Sequence, residues 1–472
     1  MSVTIRDLMT DPDLFGNQFA GDTWLGWRAL LCGFYGLPLE DEELAFWQEI
    51  TKQDDAPTEP AEELWLAVGR RGGKSQCAAL LAVYEAFFRD HTDRLSPGEV
   101  CTIMVMAADR KQARSVFRYI TGLVEQNPML AAMVTGQDKE SLTLSNRTVI
   151  EVHTASFRSS RGYTAGAVIA DEIAFWRTDD SANPDFAILD AVRPALATLQ
   201  GPLIALSNPY AKRGALWEAY RAHFGQPGPV LVAQAPSKMM NPSLPQRVID
   251  QAYARDSESA SAEYGAQFRN DISAFIDRDS IERLCRPEPL ELPRSHKQRF
   301  YYGFVDPTGG GQSASADEFT CCIGHVEKGV VVVDCLRALK GRPADIIKEY
   351  SVLLRSYGIS EVSGDRYAGY FAHDEFEKYG IRYRFTDERR TGLYQYALGV
   401  INSGAVELPP CEKMINQFCN LERRVSRSGT EQIDHGTAKG SHDDRANAIA
   451  GLIYTAHRVG APIQPIKVRW AH

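Results

Sequence analysis

No apolar run in this 472-residue chain approaches the ~20 residues that a membrane-spanning helix needs. The N-terminal stretch MSVTIRDLMTDPDLFG carries acids and lacks the apolar core of a secretory signal. A soluble intracellular protein is the expectation. No C-x-x-C pair occurs, and the nine cysteines are scattered and odd in number. That pattern argues against a zinc site or a disulfide framework and predicts reduced, mostly buried thiols. There is no internal repeat and no low-complexity tract. Nor is positive charge in excess: Lys and Arg total 52 against 61 Asp and Glu, a formal net charge of −9. This excludes a general basic coat for DNA, but not a protein that holds DNA in a local basic channel.

What remains is an ordinary globular composition, 44% hydrophobic and 24% charged. The length is too great for one ordinary core and implies two domains. Near the N-terminus, DEELAFWQEITKQ spaces Leu44, Phe46, Trp47 and Ile50 as a helix would. From about 64 to 235, short apolar strands alternate with helical stretches. The strands are read in LWLAVG, CTIMVMA, TVIEVHT, GAVIADE and PLIALSNP, a pattern that predicts a mainly parallel sheet covered by helices. A loop-like and then polar helical stretch follows to about 290, closed by the proline-rich RPEPLELPRSHKQ. A second set of strands begins at RFYYGFVDPTGGG.

The first chemical signal is WLAVGRRGGKSQ, which sets Gly72, Gly73, Lys74 and Ser75 after a strand and before the helical QCAALLAVYEAFF. A phosphate loop needs that context. Backbone N–H groups and the helix N-terminus cradle phosphate oxygens, the Lys reaches the β- and γ-phosphates, and the Ser hydroxyl ligates Mg²⁺. The usual glycine six residues before the Lys is replaced by Val68, and Gly69 comes one place late. The plainer reading is a Gly-rich turn before a helix. A second element, AGAVIADEIAFW, ends an apolar strand in Asp171 and Glu172. An Asp there can hold Mg²⁺ through water, and the adjacent Glu can polarise the attacking water. Arg161, with Arg158 as its rival, is placed where a guanidinium could reach a γ-phosphate on a neighbouring subunit. Ser207 and Asn208, in LSNP, end the next strand and could sense that phosphate.

The second signal is three separated carboxylates. Asp306 and Asp365 end strands in YYGFVDPTGG and SEVSGDRYAG, and Asp443 and Asp444 open a late helix in GSHDDRANAIAGLIYTA. Two strand-end acids and one from a late helix is the layout of an RNase H-like nuclease that holds two divalent ions about 4 Å apart. All-oxygen ligands favour Mg²⁺ or Mn²⁺ over zinc. Each Asp alone is more often a turn residue or helix cap. Asp317 is a candidate accessory acid and His442 a candidate phosphate contact.

The fold class expected is therefore α/β. Residues 1–235 form an N-terminal region and a phosphate-loop ATPase domain with a mainly parallel sheet, 236–290 a hinge subdomain, and 291–472 an RNase H-like nuclease domain. A chain with these motifs in this order resembles the large terminase subunit of tailed bacteriophages. The resemblance spans about Trp24 to Val459 and rests on GRRGGKS, SSRGYTAGAVIADE, LSNP, GFVDPTGGG, SGDRYAG and HDDRANAIAG. The family often lacks the first loop glycine and carries an arginine four residues before the Lys, here Arg70. By the resemblance, Gly69, Arg70, Gly72, Gly73, Lys74, Ser75, Asp171, Ser207 and Asn208 bind ATP and its Mg²⁺. Glu172 is catalytic, Arg161 acts between ring neighbours, and Ser207-Asn208 couple hydrolysis to movement. Where the family often has an Asp three residues beyond the acidic pair, this chain has Asn447, and the third nuclease ligand stays open between Asp443 and Asp444.

The resemblance further implies double-stranded DNA, a portal protein and a small terminase subunit as partners. A homo-oligomeric ring would work on the procapsid, in the cytoplasm of an infected bacterial host, without a membrane and without entering the mature virion. Two alternatives stand beside it. One is a DNA helicase or remodelling ATPase with an inactive nuclease fold; the other is a regulatory ATPase with an interaction domain.

Overall fold

The computed structural model describes residues 3–155, 162–176, 184–296, 300–307, 317–365, 369–425, 431–435 and 442–459. They fall into two compact units that meet in sequence at Asp271 and Ile272. Residues 236–271 thus pack with the first unit and 272–290 with the second. Among the described residues, no helix is long and apolar enough to cross a membrane. All nine cysteines are free, most of them buried.

The first unit is built on strands β1 (Glu63–Val68), β2 (Cys101–Ala107), β3 (Val134–Gln137), β4 (Ser141–Leu144), β5 (Thr148–Thr154), β6 (Thr164–Asp171), β7 (Leu203–Ser207) and β8 (Val230–Ala235). Their order across the sheet is β3-β4-β5-β2-β6-β7-β1-β8. From β5 to β8 every pairing is parallel, and at one edge β4 runs antiparallel to both its neighbours, β3 and β5. Strands such as β2 and β7 are buried along their whole length, which is why they read as unbroken apolar runs: helices cover both faces. On one face lies the helix Lys74–Phe87, buried almost all round between the sheet and the N-terminal helices. Trp27, Phe34 and Trp47 from those N-terminal helices are fully buried in the same core, each contributing roughly 1.5–3 kcal/mol through burial. The helix expected around Trp47 spans Asp41–Thr51 and stops where Lys52 turns left-handed at φ 59°. Its first turn is fixed by the buried Glu43, which accepts from Arg6 at 2.6 Å and from Arg28 at 3.1 Å.

The strand order decides what can meet. β7 separates β1 from β6, and the register sets Ala67 opposite Ser207 and Leu206 opposite Asp171. The carboxyl ends of all three strands therefore lie along one edge of the sheet, where ligands of open α/β sheets bind.

The second unit has strands β9 (Ile272–Ala274), β10 (Tyr302–Asp306), β11 (Phe319–Glu327), β12 (Val330–Leu339), β13 (Glu361–Gly364), β14 (Arg382–Phe385), β15 (Val406–Glu407), β16 (Leu421–Val425) and β17 (Glu431–His435). Its main sheet has the order β14-β13-β10-β11-β12-β15. β10, β11 and β12 form an antiparallel meander, and β13 and β14 continue parallel to β10 on its other side. That is the RNase H-like arrangement, with β15 added at the far edge. Alternation along β10 sends Phe304 to one face and Val305 to the other. The helix Asp444–Val459 covers the Phe304 face through Ile449, Leu452 and Ile453. The helix Pro343–Ser356 covers the other through Ile347 and Leu354. A small antiparallel sheet, β17-β16-β9, lies beside them.

Candidate active sites

In the first unit the chain leaves β1 at Val68 and enters the helix at Lys74 through a five-residue loop. Gly73 sits at φ +100°, a conformation that favours glycine, and a Cβ there would lie 2.9 Å from the Trp27 indole nitrogen. That nitrogen donates to the Gly72 carbonyl at 2.8 Å. Gly69 donates to the Ala235 carbonyl at 3.0 Å, and any Cβ on it would meet Ser237 Oγ at 2.3 Å. Ser237 and Asn241 in turn donate to the carbonyls of Arg70 (2.7 Å) and Arg71 (2.9 Å). Loop carbonyls are thus tied back to the protein. The Gln76 and Cys77 N–H groups reach the Gly73 carbonyl at 3.1 and 3.0 Å, and the Lys74 and Ser75 N–H groups ahead of them, at the helix start, are the ones a ligand would meet.

Lys74 is nearly buried. Its Nζ donates to the carbonyls of Val68 (3.0 Å) and Gly69 (3.4 Å) and stands 3.7 Å from Glu172 Oε1. Glu172 follows β6 with a left-handed backbone, φ 52°, a conformation that costs a non-glycine residue and that concentrates at functional sites. Its other oxygen lies 3.0 Å from Ser207 Oγ, which also reaches the Asn208 carbonyl at 2.9 Å. A hydroxyl has one proton, so Ser207 donates to one of these at a time. Asp171 is fully buried. Oδ2 accepts from Gln112 Nε2 at 3.0 Å, and Oδ1 has no hydrogen-bond partner among the described residues. Burial, and after it the charge of Glu172, pushes its carboxyl up to about 7.

The strand register brings Lys74, Asp171, Glu172 and Ser207 together, with Ser75 on the first turn of the loop helix and Asn208 buried beside Ser207. Arg70 points elsewhere in this structure: it is more than half exposed and pairs with Glu263 at 3.2 Å. Arg158 and Arg161 lie outside the described residues. Two partners escape a sequence reading, Trp27 and Gln112. They come from segments 45 and 59 residues away from the groups they hold, a distance over which periodicity carries no signal.

In the second unit, Val305 is in register with Gly364, so Asp306 and Asp365 follow at the same level on strands about 4.8 Å apart. Asp306 is buried, accepts from Asn447 Nδ2 at 2.8 Å and has its carboxyl pushed up to about 8. Burial is the main cause, and the charges of Asp443 and Asp444 add to it. The Tyr383 hydroxyl donates to the Asp365 carbonyl at 3.0 Å and is raised by burial and then by Asp365 and Asp306.

Asp443 and Asp444 are both buried but differently held. Asp443 accepts from the Tyr394 hydroxyl at 2.8 Å and stands 3.5 Å from Arg390 Nη1. Asp444 accepts from the Glu318 N–H at 2.7 Å, and its carboxyl is pushed up to about 6, by burial first and then by Asp317 and Asp443. It also groups with Asp317 and His442, the donor atoms of the three lying within 4.8 Å of one another, and His442 meets Asp317 at 2.8 Å. The Oδ1 of Asn447 is buried without a partner among the described residues. Four aspartates thus converge where β10, β13 and the last helix meet, and the raised carboxyls of Asp306 and Asp444 mark a cluster that a cation would stabilise.

Residues 59–186 match the family model described as the terminase large subunit, ATPase domain. No curated protein matches the chain. Among solved structures it is similar to the large terminase of bacteriophage HK97, at 16% identity and TM-score 0.37, over 91% of this chain and 99% of that one. It is similar to the large terminase of a thermophilic bacteriophage in complex with ATP-gamma-S, at 12% identity and TM-score 0.38, over 91% and 98%. A third is the large terminase nuclease of the thermophilic phage G20c with bound magnesium, at 18% identity and TM-score 0.29, over 35% and 90%.

Proposed function

We propose that this chain is the motor and nuclease of viral genome packaging. ATP hydrolysis at the first site drives double-stranded DNA through a portal into a procapsid. The acid cluster of the second unit cuts concatemeric DNA when packaging starts and stops. The observation that carries the reading is the meeting of Lys74 with Asp171 and Glu172 at one sheet edge, inside the segment that matches the terminase ATPase family, with Ser207 of the next strand against Glu172.

The chain's own residues divide the work. The loop amides and Lys74 hold the phosphates. An entering phosphate competes with Glu172 for the Lys74 ammonium, and Glu172 so released orients water and accepts its proton. Ser207, with one proton and two acceptors, follows whether Glu172 is engaged, and so links the site to the loop after β7. Arg161 completes the site of a neighbour in a ring. In the second unit, Asp306, Asp365 and Asp443 or Asp444 face one another as an all-oxygen donor set that fits Mg²⁺ or Mn²⁺. The unpartnered Asp171 Oδ1 fits a hydrated Mg²⁺ in the first site. Such cations, when bound, would stabilise negative charge on phosphate oxygens. The portal, a small terminase subunit and the cytoplasm of an infected bacterium complete the proposal.

The test is a plasmid digestion with Mg²⁺, Mn²⁺ and EDTA, run beside a DNA-stimulated ATPase assay on wild type and Asp365→Ala. Cleavage that needs metal and Asp365, together with ATPase that does not need Asp365, supports both activities. ATPase without any metal-dependent cleavage would favour a DNA-remodelling ATPase with an inactive nuclease fold.

A further inference from the structure

The two acids at the end of β6 are held from opposite sides. Glu172 is held through β7, by Ser207. Asp171 is held through β2, whose last residue Ala107 lies opposite it in register. Beyond β2 the chain turns at Asp109, which caps the helix Arg110–Gln126 by accepting from the N–H groups of Lys111 (2.7 Å) and Gln112 (3.0 Å). The cap fixes the first turn and with it the direction in which Gln112 leaves the backbone. Its Nε2 then donates to Asp171 Oδ2 at 3.0 Å. Among the described residues no other side chain donates to this carboxylate, and Oδ1 is buried and unpartnered.

A carboxylate has two oxygens and rotates about one bond. Fixing Oδ2 fixes where Oδ1 points. Gln112 is partly exposed while Asp171 is fully buried, so the amide stands between the acid and solvent. A glutamine suits this place better than a charged donor. It holds the oxygen without cancelling the negative charge that a cation requires, and a lysine or arginine would compete with that cation.

We infer that Gln112 is a positioning residue for the divalent cation of the nucleotide site, acting through Asp171: its amide holds Oδ2 so that Oδ1 is presented to the hydrated Mg²⁺ that accompanies ATP. The inference rests on the ATPase reading of this site. Outer partners of metal-binding groups typically set metal affinity by about 10–100-fold.

The experiment uses the full chain and a fluorescent, non-hydrolysable ATP analogue, titrated with Mg²⁺. Gln112→Leu keeps the volume and removes the donor. Gln112→Asn keeps the amide and shortens its reach. In both, the Mg²⁺ midpoint for analogue binding should rise by about 10-fold or more. Analogue affinity at saturating Mg²⁺ should stay within about threefold of wild type, and the melting temperature without nucleotide should be little changed. An isolated loss of packing would lower the melting temperature and leave the metal midpoint where it was. An unchanged midpoint in Gln112→Asn, in a variant that melts like wild type, overturns the role of Gln112. Wild type that binds the analogue equally with and without Mg²⁺ overturns the metal-dependent reading of the site itself.

Discussion

Lys74 Nζ stands 3.7 Å from Glu172 Oε1, so the cation of the loop and the acid of β6 hold each other. Both side chains are mostly buried, so the pair is little screened by solvent. Neither residue can do its proposed work while the other occupies it. On the proposed function, loading the phosphates and freeing the acid become a single event.

Lys74→Ala should therefore abolish ATP turnover, and leave cleavage of naked DNA by the second unit largely intact. Steady-state ATPase and plasmid nicking, measured on the same preparation, check this. Near-normal turnover in the variant would remove Lys74 from the phosphate site.

Glu172→Gln keeps the shape and removes the proton acceptor. The variant should still bind ATP, while single-turnover hydrolysis falls by roughly 10²–10⁴-fold. A loss below about threefold would point to another acid.

Arg161→Ala subunits mixed with Glu172→Gln subunits should recover part of the lost ATPase, because some interfaces would pair an intact site with an intact neighbouring arginine. A guanidinium supplied in this way is worth about 10³–10⁵ in rate. A mixture shown to co-assemble that recovers nothing at any ratio would argue that Arg161 does not act in trans.

The acid cluster makes a pH prediction. The folded chain holds Asp306 up to about 8 and Asp444 up to about 6, above the ~4 of an unfolded carboxyl. Their contribution to stability is complete below pH ~4 and is lost as pH rises through about 6 and about 8. In EDTA, Asp306→Asn should gain on wild type in melting temperature as pH rises from 5 to 8. Added Mn²⁺ should close that gap by stabilising wild type more than the variant. Asp306→Asn and Asp365→Asn should both lose nicking, and Asp443→Asn set beside Asp444→Asn decides the third ligand. A gap that does not change with pH would mean the cluster is not strained by its own charge.

A fragment of the second unit should begin at Ile272. β9 pairs with β16, and Phe275, Ile276 and Ile281 are buried in the same core as the last helix. A fragment starting at residue 291 loses all three side chains, and large buried apolar groups are worth about 2–5 kcal/mol each. Urea unfolding of the two fragments should show the longer one to be clearly more stable; equal midpoints would contradict this.

Much of this was legible in the sequence because parallel strands covered on both faces announce themselves. β1, β2, β6 and β7 are largely apolar runs buried nearly throughout, and the candidate site residues lie where β1, β6 and β7 stop, whereas β5 showed itself by alternation. β3 was illegible because its residues are mostly exposed and polar. Lateral order was illegible too. Nothing local says that β7 lies between β1 and β6, so nothing local says that Ser207 meets Glu172. Asn447 stood out only as a residue where an acid was expected, and its amide proves to hold Asp306. Arg70 fits the motif yet spends its charge on Glu263, a partner far along the chain.

The position of β1 also sets an order of assembly. The strand that carries the phosphate loop is made early, yet both its neighbours are made late: β7 starts at Leu203 and β8 at Val230. Until the ribosome has released residues through about Ser207, β1 has neither ladder partner, and until about Ala235 one of its edges stays open to pairing with other chains. The N-terminal helices with Trp27 would by then be waiting without a loop to hold. Nascent chains stalled before β7 should be digested within β1 by protease, and those stalled some 40 residues past β8 should resist. Equal resistance at both lengths would show that the loop strand finds shelter earlier than its sheet allows.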